Sequence, residues 1–124
     1  MYSVKIRQHI MIAHSLDHPK FGPARNMHGA TYVIDACFFS EKLNDMEVVL
    51  DIGLAHKALR VVTDPLNYQN LDELPQFKGK LTTTEFLAKY IHDGVKDIVK
   101  KEFEGAIEIT LGESHNAWAA YSSL

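Results

Sequence analysis

The sequence predicts an α+β fold, an antiparallel sheet with two helices on one face. Stretches near both ends alternate apolar and polar residues with a period of two. Two stretches in the middle repeat apolar residues at helical spacing. The resulting order, strands then helices then strands, belongs to an antiparallel sheet rather than to alternating strand–helix units.

Each element has its own local reason. Tyr2, Val4, Ile6, Ile10, Ile12 and His14 occupy even positions among Lys5, Arg7 and His9. Residues 2–14 therefore read as a strand with one buried face, which His14 continues near its end. Pro19, Gly22 and Pro23 mark residues 15–27 as a loop. The next strand, residues 28–40, places His28, Ala30, Tyr32, Ile34, Ala36 and Phe38 on one face. A polar turn at Leu43, Asn44 and Asp45 leads to an apolar run at residues 47–50, expected to form a hairpin with that strand.

Asp51 stands where a helix cap belongs, ahead of Ile52, Leu54, Ala55, Leu59 and Val62 at helical spacing. Residues 63–81 contain Pro65, Pro75 and several Asn and Asp, and read as a long loop of the kind that carries function. Thr82 with Glu85 three residues later forms a capping box for a second helix. Its buried stripe is Phe86, Leu87, Tyr90, Ile91, Val95, Ile98 and Val99. Gly94 inside it costs about 1 kcal/mol relative to alanine. Residues 106–113, with Ile107, Ile109 and Leu111 on one face, and residues 117–121 supply the last strands. No repeat, low-complexity tract or linker divides the chain, so residues 1–124 read as one domain. The sheet of such a domain has open edges, which predicts a ring-like homo-oligomer that pairs them.

Composition narrows the function classes. The 124 residues suffice to bury about two-thirds of the chain's surface. A formal charge of -3 gives no basis for binding nucleic acid or an anionic membrane. Cys37 is alone, which excludes an internal disulfide and fits a reducing, cytoplasmic compartment. The N-terminal alternation does not read as a signal peptide, and no apolar run approaches the ~20 residues of a membrane span.

Chemistry concentrates around the histidines. His14 ends the inward face of the first strand and His28 begins that of the second, so in an antiparallel pair their imidazoles lie together. Two such rings can converge on zinc or a similar ion, or can pack as ordinary histidines bonded to backbone. A catalytic zinc needs a third protein ligand. The next position on the same face is Ala30, so His115 is the candidate, following Ile107, Ile109, Leu111 and Glu113 in alternation. His18 in the connecting loop, or water, is the alternative. His9 falls on the opposite face, and His56 reads as a solvated or partly packed helix residue.

Five segments, in order, resemble the 6-pyruvoyl-tetrahydropterin synthase / 6-carboxy-tetrahydropterin synthase family. They are Ile12-Ala13-His14-Ser15-Leu16, Ala24 to Tyr32 with its His28-Gly29 step, Val49-Leu50-Asp51-Ile52, Thr82 to Ala88, and Glu113 followed by Trp118 and Tyr121. The resemblance implies a tunnelling fold closed into a homohexamer-like ring, with the active site between subunits and one divalent metal, zinc, per subunit. It also implies a dihydropterin substrate such as 7,8-dihydroneopterin triphosphate, with Glu113 receiving the pterin ring. Departures accompany it. Where the family has a third zinc-binding histidine and a nucleophile-like cysteine, this chain has Ala30 and Ala24. Where the family has an Asp-His pair, it has Asn67 and Tyr68. Cys37 lies on the far face of its strand and reads as a packing residue.

The metal set expected is thus His14, His28 and His115, with Tyr68 or His115 as acid or base and Glu113 as the heterocycle's partner. Lys20, Arg25 and Lys80 are candidates for phosphate contacts. The activity expected is a zinc-dependent, lyase-like reaction on a dihydropterin. The alternatives are a catalytically inactive pterin- or purine-binding homologue, or a structural oligomer whose histidines only pack.

Overall fold

A computed structural model describes all 124 residues. Its elements are β1 (Tyr2–His14), β2 (His28–Ser40), α1 (Ile52–Thr63), β3 (Gln69–Asn70), α2 (Thr84–Val99), β4 (Ala106–Ser114) and β5 (Ala117–Ser122). The sheet order is β3-β1-β2-β4-β5, antiparallel except for the short β3, which runs parallel to β1. Both helices lie on one face, α1 over β1 and α2 over β4 and β5.

The period-two pattern explains the core directly. Ile6, Ile10 and Ile12 of β1, Tyr32, Ile34, Ala36 and Phe38 of β2, and Ile107, Ile109 and Leu111 of β4 all point beneath the helices and are buried. Ala55, Ala58 and Leu59 of α1 and Leu87, Ala88, Ile91, Val95 and Val99 of α2 close that layer from above. The alanines let the helices approach the sheet closely. On the other face, Arg7 donates two hydrogen bonds to Asp35 across the β1–β2 pair, at 2.6 and 2.9 Å. Those bonds hold the Asp35 carboxyl below the usual carboxylate range.

Three expectations are corrected. Residues 47–50 form no strand: the Asn44 side chain accepts from the backbone N–H groups of Met46 and Val48, and the Asn44 N–H donates to the Val48 carbonyl. These bonds curl the segment into a tight loop, with Glu47 at φ 61°, and use polar groups that a hairpin would need. The cap of α2 is Thr83, whose hydroxyl accepts from Phe86 N–H at 3.1 Å, one residue later than the capping-box reading. The loop of residues 63–81 is also more ordered than expected. It contributes β3 and two single 3₁₀ turns, Leu71–Glu73 and Pro75–Phe77.

Gly105 is required by close approach. A Cβ there would lie 2.0 Å from the Phe39 carbonyl oxygen and 2.6 Å from the Phe103 ring, where β4 begins beside β2. Backbone cannot yield as a side-chain tip can. Gly105→Ala is expected to cost about 3 kcal/mol, measured as a lower urea midpoint with an unchanged slope.

Candidate functional site

The β1–β2 register carries the site. The ladder runs without a break from Tyr2↔Ser40 to His14↔His28, so the two histidines are direct cross-strand partners at its last rung. Their ring centroids are 4.6 Å apart and meet edge-on at 65°. His14 is 2% exposed, whereas His28 is half-buried. The intervening loop is closed by a backbone bond from Leu16 N–H to the Ala24 carbonyl at 3.1 Å.

Each ring is tethered through Nδ1. His28 Nδ1 lies 2.8 Å from the Asn26 carbonyl oxygen, which can only accept, so Nδ1 carries the proton and neutral His28 keeps a lone pair on Nε2. His14 Nδ1 lies 2.9 Å from the Thr82 hydroxyl. No hydrogen bond within the chain uses Nε2 of either ring. Burial holds the His14 pKa below the usual histidine range, with the neighbouring His28 adding to the effect. Asp72, Thr82 and Glu113 oppose it. The net direction favours neutral imidazole, the form a metal ligand must take.

Around the pair, Asp72 accepts hydrogen bonds from the Ser15 N–H and hydroxyl and so fastens residues 70–81 beside the end of β1. The adjoining cavity of about 360 Å³ is lined by Ser15, Asp17, Asp72, Lys78 and Lys80, among others. Glu113 stands at the exposed end of β4, and its charge reaches both His14 and Tyr32. A bulge at residues 112–114 accompanies the seating of Trp118 over Gly112, where an added Cβ would meet the indole at 3.2 Å. The Tyr32 hydroxyl, two positions beyond Ala30, is buried without a hydrogen-bond partner.

Other expected residues are placed differently. No group of three or more His, Cys, Asp or Glu side chains able to hold a metal comes together in the chain. The expected set of His14, His28 and His115 is therefore not assembled within it. The reason is local: β4 stops pairing with β2 at Val33↔Gly112, and His115 falls in the two-residue turn to β5, exposed to solvent. His18 is occupied as a cap, its Nδ1 accepting from Lys20 N–H at 3.1 Å. Arg25 pairs with Asp17 at 3.3 Å. Cys37 is buried, and burial pushes its thiol pKa up.

Asn67 and Tyr68 clasp the open edge of β1. The Asn67 side chain accepts from Met11 N–H, and Tyr68 N–H donates to the Met11 carbonyl. This grip holds Tyr68 at φ 60°, a strained value for a bulky residue, with its side chain 76% exposed. The phenol therefore points away from its own chain's core. Sequence reasoning missed Thr82 and Asp72. Thr82 was visible only as part of a capping box, and Asp72 only as one more polar loop residue.

The fold is thus an α+β sheet backed by two helices, with paired histidines at the last rung of its longest ladder as the candidate site. A sequence profile of 6-pyruvoyl tetrahydropterin synthase matches residues 3–123, and the chain belongs to that family. The 6-pyruvoyl tetrahydrobiopterin synthase of Dictyostelium discoideum is 28% identical over 103 residues, covering 82% of this chain and 74% of that protein. The fold is shared with the Caenorhabditis elegans 6-pyruvoyl tetrahydropterin synthase, at TM-score 0.86 and 21% identity over 99% of this chain and 96% of that one. It is also shared with the Plasmodium vivax enzyme, at TM-score 0.77 and 14% identity over 98% of both chains. No helix is long and apolar enough to cross a membrane.

Proposed function

We propose that this protein is a zinc-dependent, lyase-like enzyme acting on a dihydropterin such as 7,8-dihydroneopterin triphosphate, with an altered set of catalytic residues. The observation that carries the reading is the opposed His14–His28 pair, in which both Nδ1 atoms are tethered and both Nε2 atoms are unused. This donor set fits two positions of a zinc centre. The ion would polarise substrate hydroxyls and lower the pKa of a bound water to about 7. His115, at the tip of the β4–β5 turn, is proposed as the third ligand.

Glu113 is the proposed partner of the heterocycle, since a carboxylate accepts two hydrogen bonds from adjacent ring N–H and amino groups. Tyr68 and His115 are the proposed proton-transfer groups, a role open to both residue types. Because Tyr68 points outward from its own chain, its part is best served by a neighbouring copy. Both sheet edges support such assembly: β5 has a free outer edge bearing Trp118 at 64% exposure, and β3 covers β1 only at Ile12 and Ala13. We propose a ring of copies, a hexamer. A monomeric mass in solution would remove that part of the reading.

A second reading, a catalytically silent pterin- or purine-binding protein, is favoured by Ala24, Ala30 and the missing third ligand. Metal content per subunit, on protein purified without added metal or chelator, separates the two. About one zinc per chain, lost in His115→Ala, supports the three-histidine centre and justifies assay with dihydroneopterin triphosphate. Zinc retained in the variant removes His115 from the ligand set. No zinc in the wild type favours the silent binder.

A further inference from the structure

We propose that the Asn67–Tyr68 clasp is the stop that sets how copies of this chain pair. The β5 strand of a second copy adds antiparallel to the open edge of β1 until its Trp118 stands opposite His9, and the clasp at Met11 lets it go no further. The inference rests on the ring of copies proposed above and fixes a register that the ring alone leaves open.

Backbone direction carries the argument. Successive residues of a strand turn their N–H and C=O groups to alternate sides. Both groups of Met11 point away from β2: its N–H donates to the Asn67 side chain at 2.9 Å, and its carbonyl accepts from Tyr68 N–H at 2.6 Å. The β1–β2 ladder is unbroken, so Ser3, Lys5, Arg7 and His9 turn their groups the same way, and β3 pairs with β1 only at Ile12 and Ala13. On β4 and β5, the Ser123 N–H donates to the Ile107 carbonyl at 3.0 Å, which turns odd-numbered residues toward β4. Trp118, Ala120 and Ser122 therefore offer their groups to the free side. The side chains of both rows lie on the face without helices, where Trp118 crosses Gly112 toward Val33 and Arg7 meets Asp35. β1 and β5 also run in opposite directions in the sheet. Joining the rows thus continues one antiparallel sheet and keeps the helices of both copies on one side.

Trp118 could stand opposite Arg7, His9 or Met11. The clasp removes Met11, whose two edge groups are taken. Side chains decide between the others. Opposite His9, Trp118 lies diagonal to Met11, about 7–8 Å away and within reach of an indole, and each covers part of the other's 64% and 49% exposure. Ala120 then falls opposite Arg7 and leaves its two bonds to Asp35 undisturbed. Opposite Arg7, Trp118 would crowd that ion pair and leave Met11 bare. In the chosen register Asn116 of the second copy stands level with Met11. The turn bearing His115 therefore meets Tyr68 of the first copy, bringing together the two groups proposed for proton transfer.

The test is disulfide trapping in three double variants: Arg7→Cys/Ala120→Cys, His9→Cys/Ala120→Cys and Arg7→Cys/Trp118→Cys. Within one chain β2 and β4 separate β1 from β5 by roughly 14 Å, beyond the about 7 Å that a disulfide can span. The native Cys37 is buried. Cross-linked multimers therefore report pairing between copies. On mild oxidation the Arg7–Ala120 pair is expected to give them and the other two pairs to give none. Cross-linking of the His9–Ala120 pair overturns the stop, and cross-linking of the Arg7–Trp118 pair overturns the register. Adding Asn67→Val, which frees the Met11 N–H, to the His9–Ala120 pair is expected to bring on cross-linking, whereas Asn67→Asp, which keeps an acceptor, is not. No change with Asn67→Val also overturns the stop. Sedimentation of the reduced proteins tells the failures apart. A monomer removes the ring and the proposal together, while a ring whose Arg7–Ala120 pair stays unlinked refutes the register and leaves the ring standing.

Discussion

His28→Ala abolishes stoichiometric zinc binding and leaves the fold intact. This is the expected result of metal analysis paired with circular dichroism, and His14→Ala is expected to empty the site as well. The two variants are not equally clean. His14 is 2% exposed and bonded to Thr82, two residues ahead of α2, so its removal also leaves a cavity and an unpaired Thr82 hydroxyl. His28 is half-buried, and its Nδ1 partner, the Asn26 carbonyl, lies in a loop where water can replace the ring. A direct ligand should matter more than the roughly 10–100-fold that an outer partner contributes. The affinity of His28→Ala should therefore fall beyond that range with little change in melting temperature. Normal zinc occupancy in either variant would count against the assignment.

The second large effect is on the organic ligand. In Glu113→Ala, a dihydropterin is expected to lose about 3–6 kcal/mol of binding, or roughly 10²–10⁴ in affinity, from two charge-assisted hydrogen bonds. Zinc content should not change, because Glu113 influences His14 only through its charge and donates no ligand in the proposed set. Its exposure at the end of β4 makes the substitution harmless to the core. Calorimetry with a non-hydrolysable pterin, on zinc-loaded wild type and variant, measures the difference. Unchanged affinity would refute the role. Weakened binding together with lost zinc would instead mean that Glu113 belongs to the metal's surroundings.

Much of the fold was legible in the residues, and for a local reason. A strand with one buried face writes a period of two, so the bounds of β1 and β2 followed from Tyr2 to His14 and from His28 to Ser40 without knowledge of any neighbour. The Asp51 cap of α1 was legible because the cap and its Leu54 N–H partner are three residues apart. The facing of His14 and His28 followed as well, since consecutive antiparallel strands joined by a short loop must bring those two ends together. Where local signals competed, the reading slipped. Asn44 captured the N–H groups of a run that looked like a strand, and among three consecutive threonines the cap fell one residue later than expected.

By itself, then, the sequence determined the α+β class, the two long strands, the helix pair and the paired histidines, because each is encoded in contacts within a few residues or in an unavoidable neighbour pairing. Only the tertiary structure decided that Thr82 tethers His14, that Asp72 fastens the loop to Ser15, that Tyr68 is strained outward and that His115 sits outside the pair. Those outcomes depend on where α2 and the loop of residues 63–81 settle against the sheet and on where the β2–β4 ladder stops. Packing of the whole core sets these positions, and no periodicity along the chain records them.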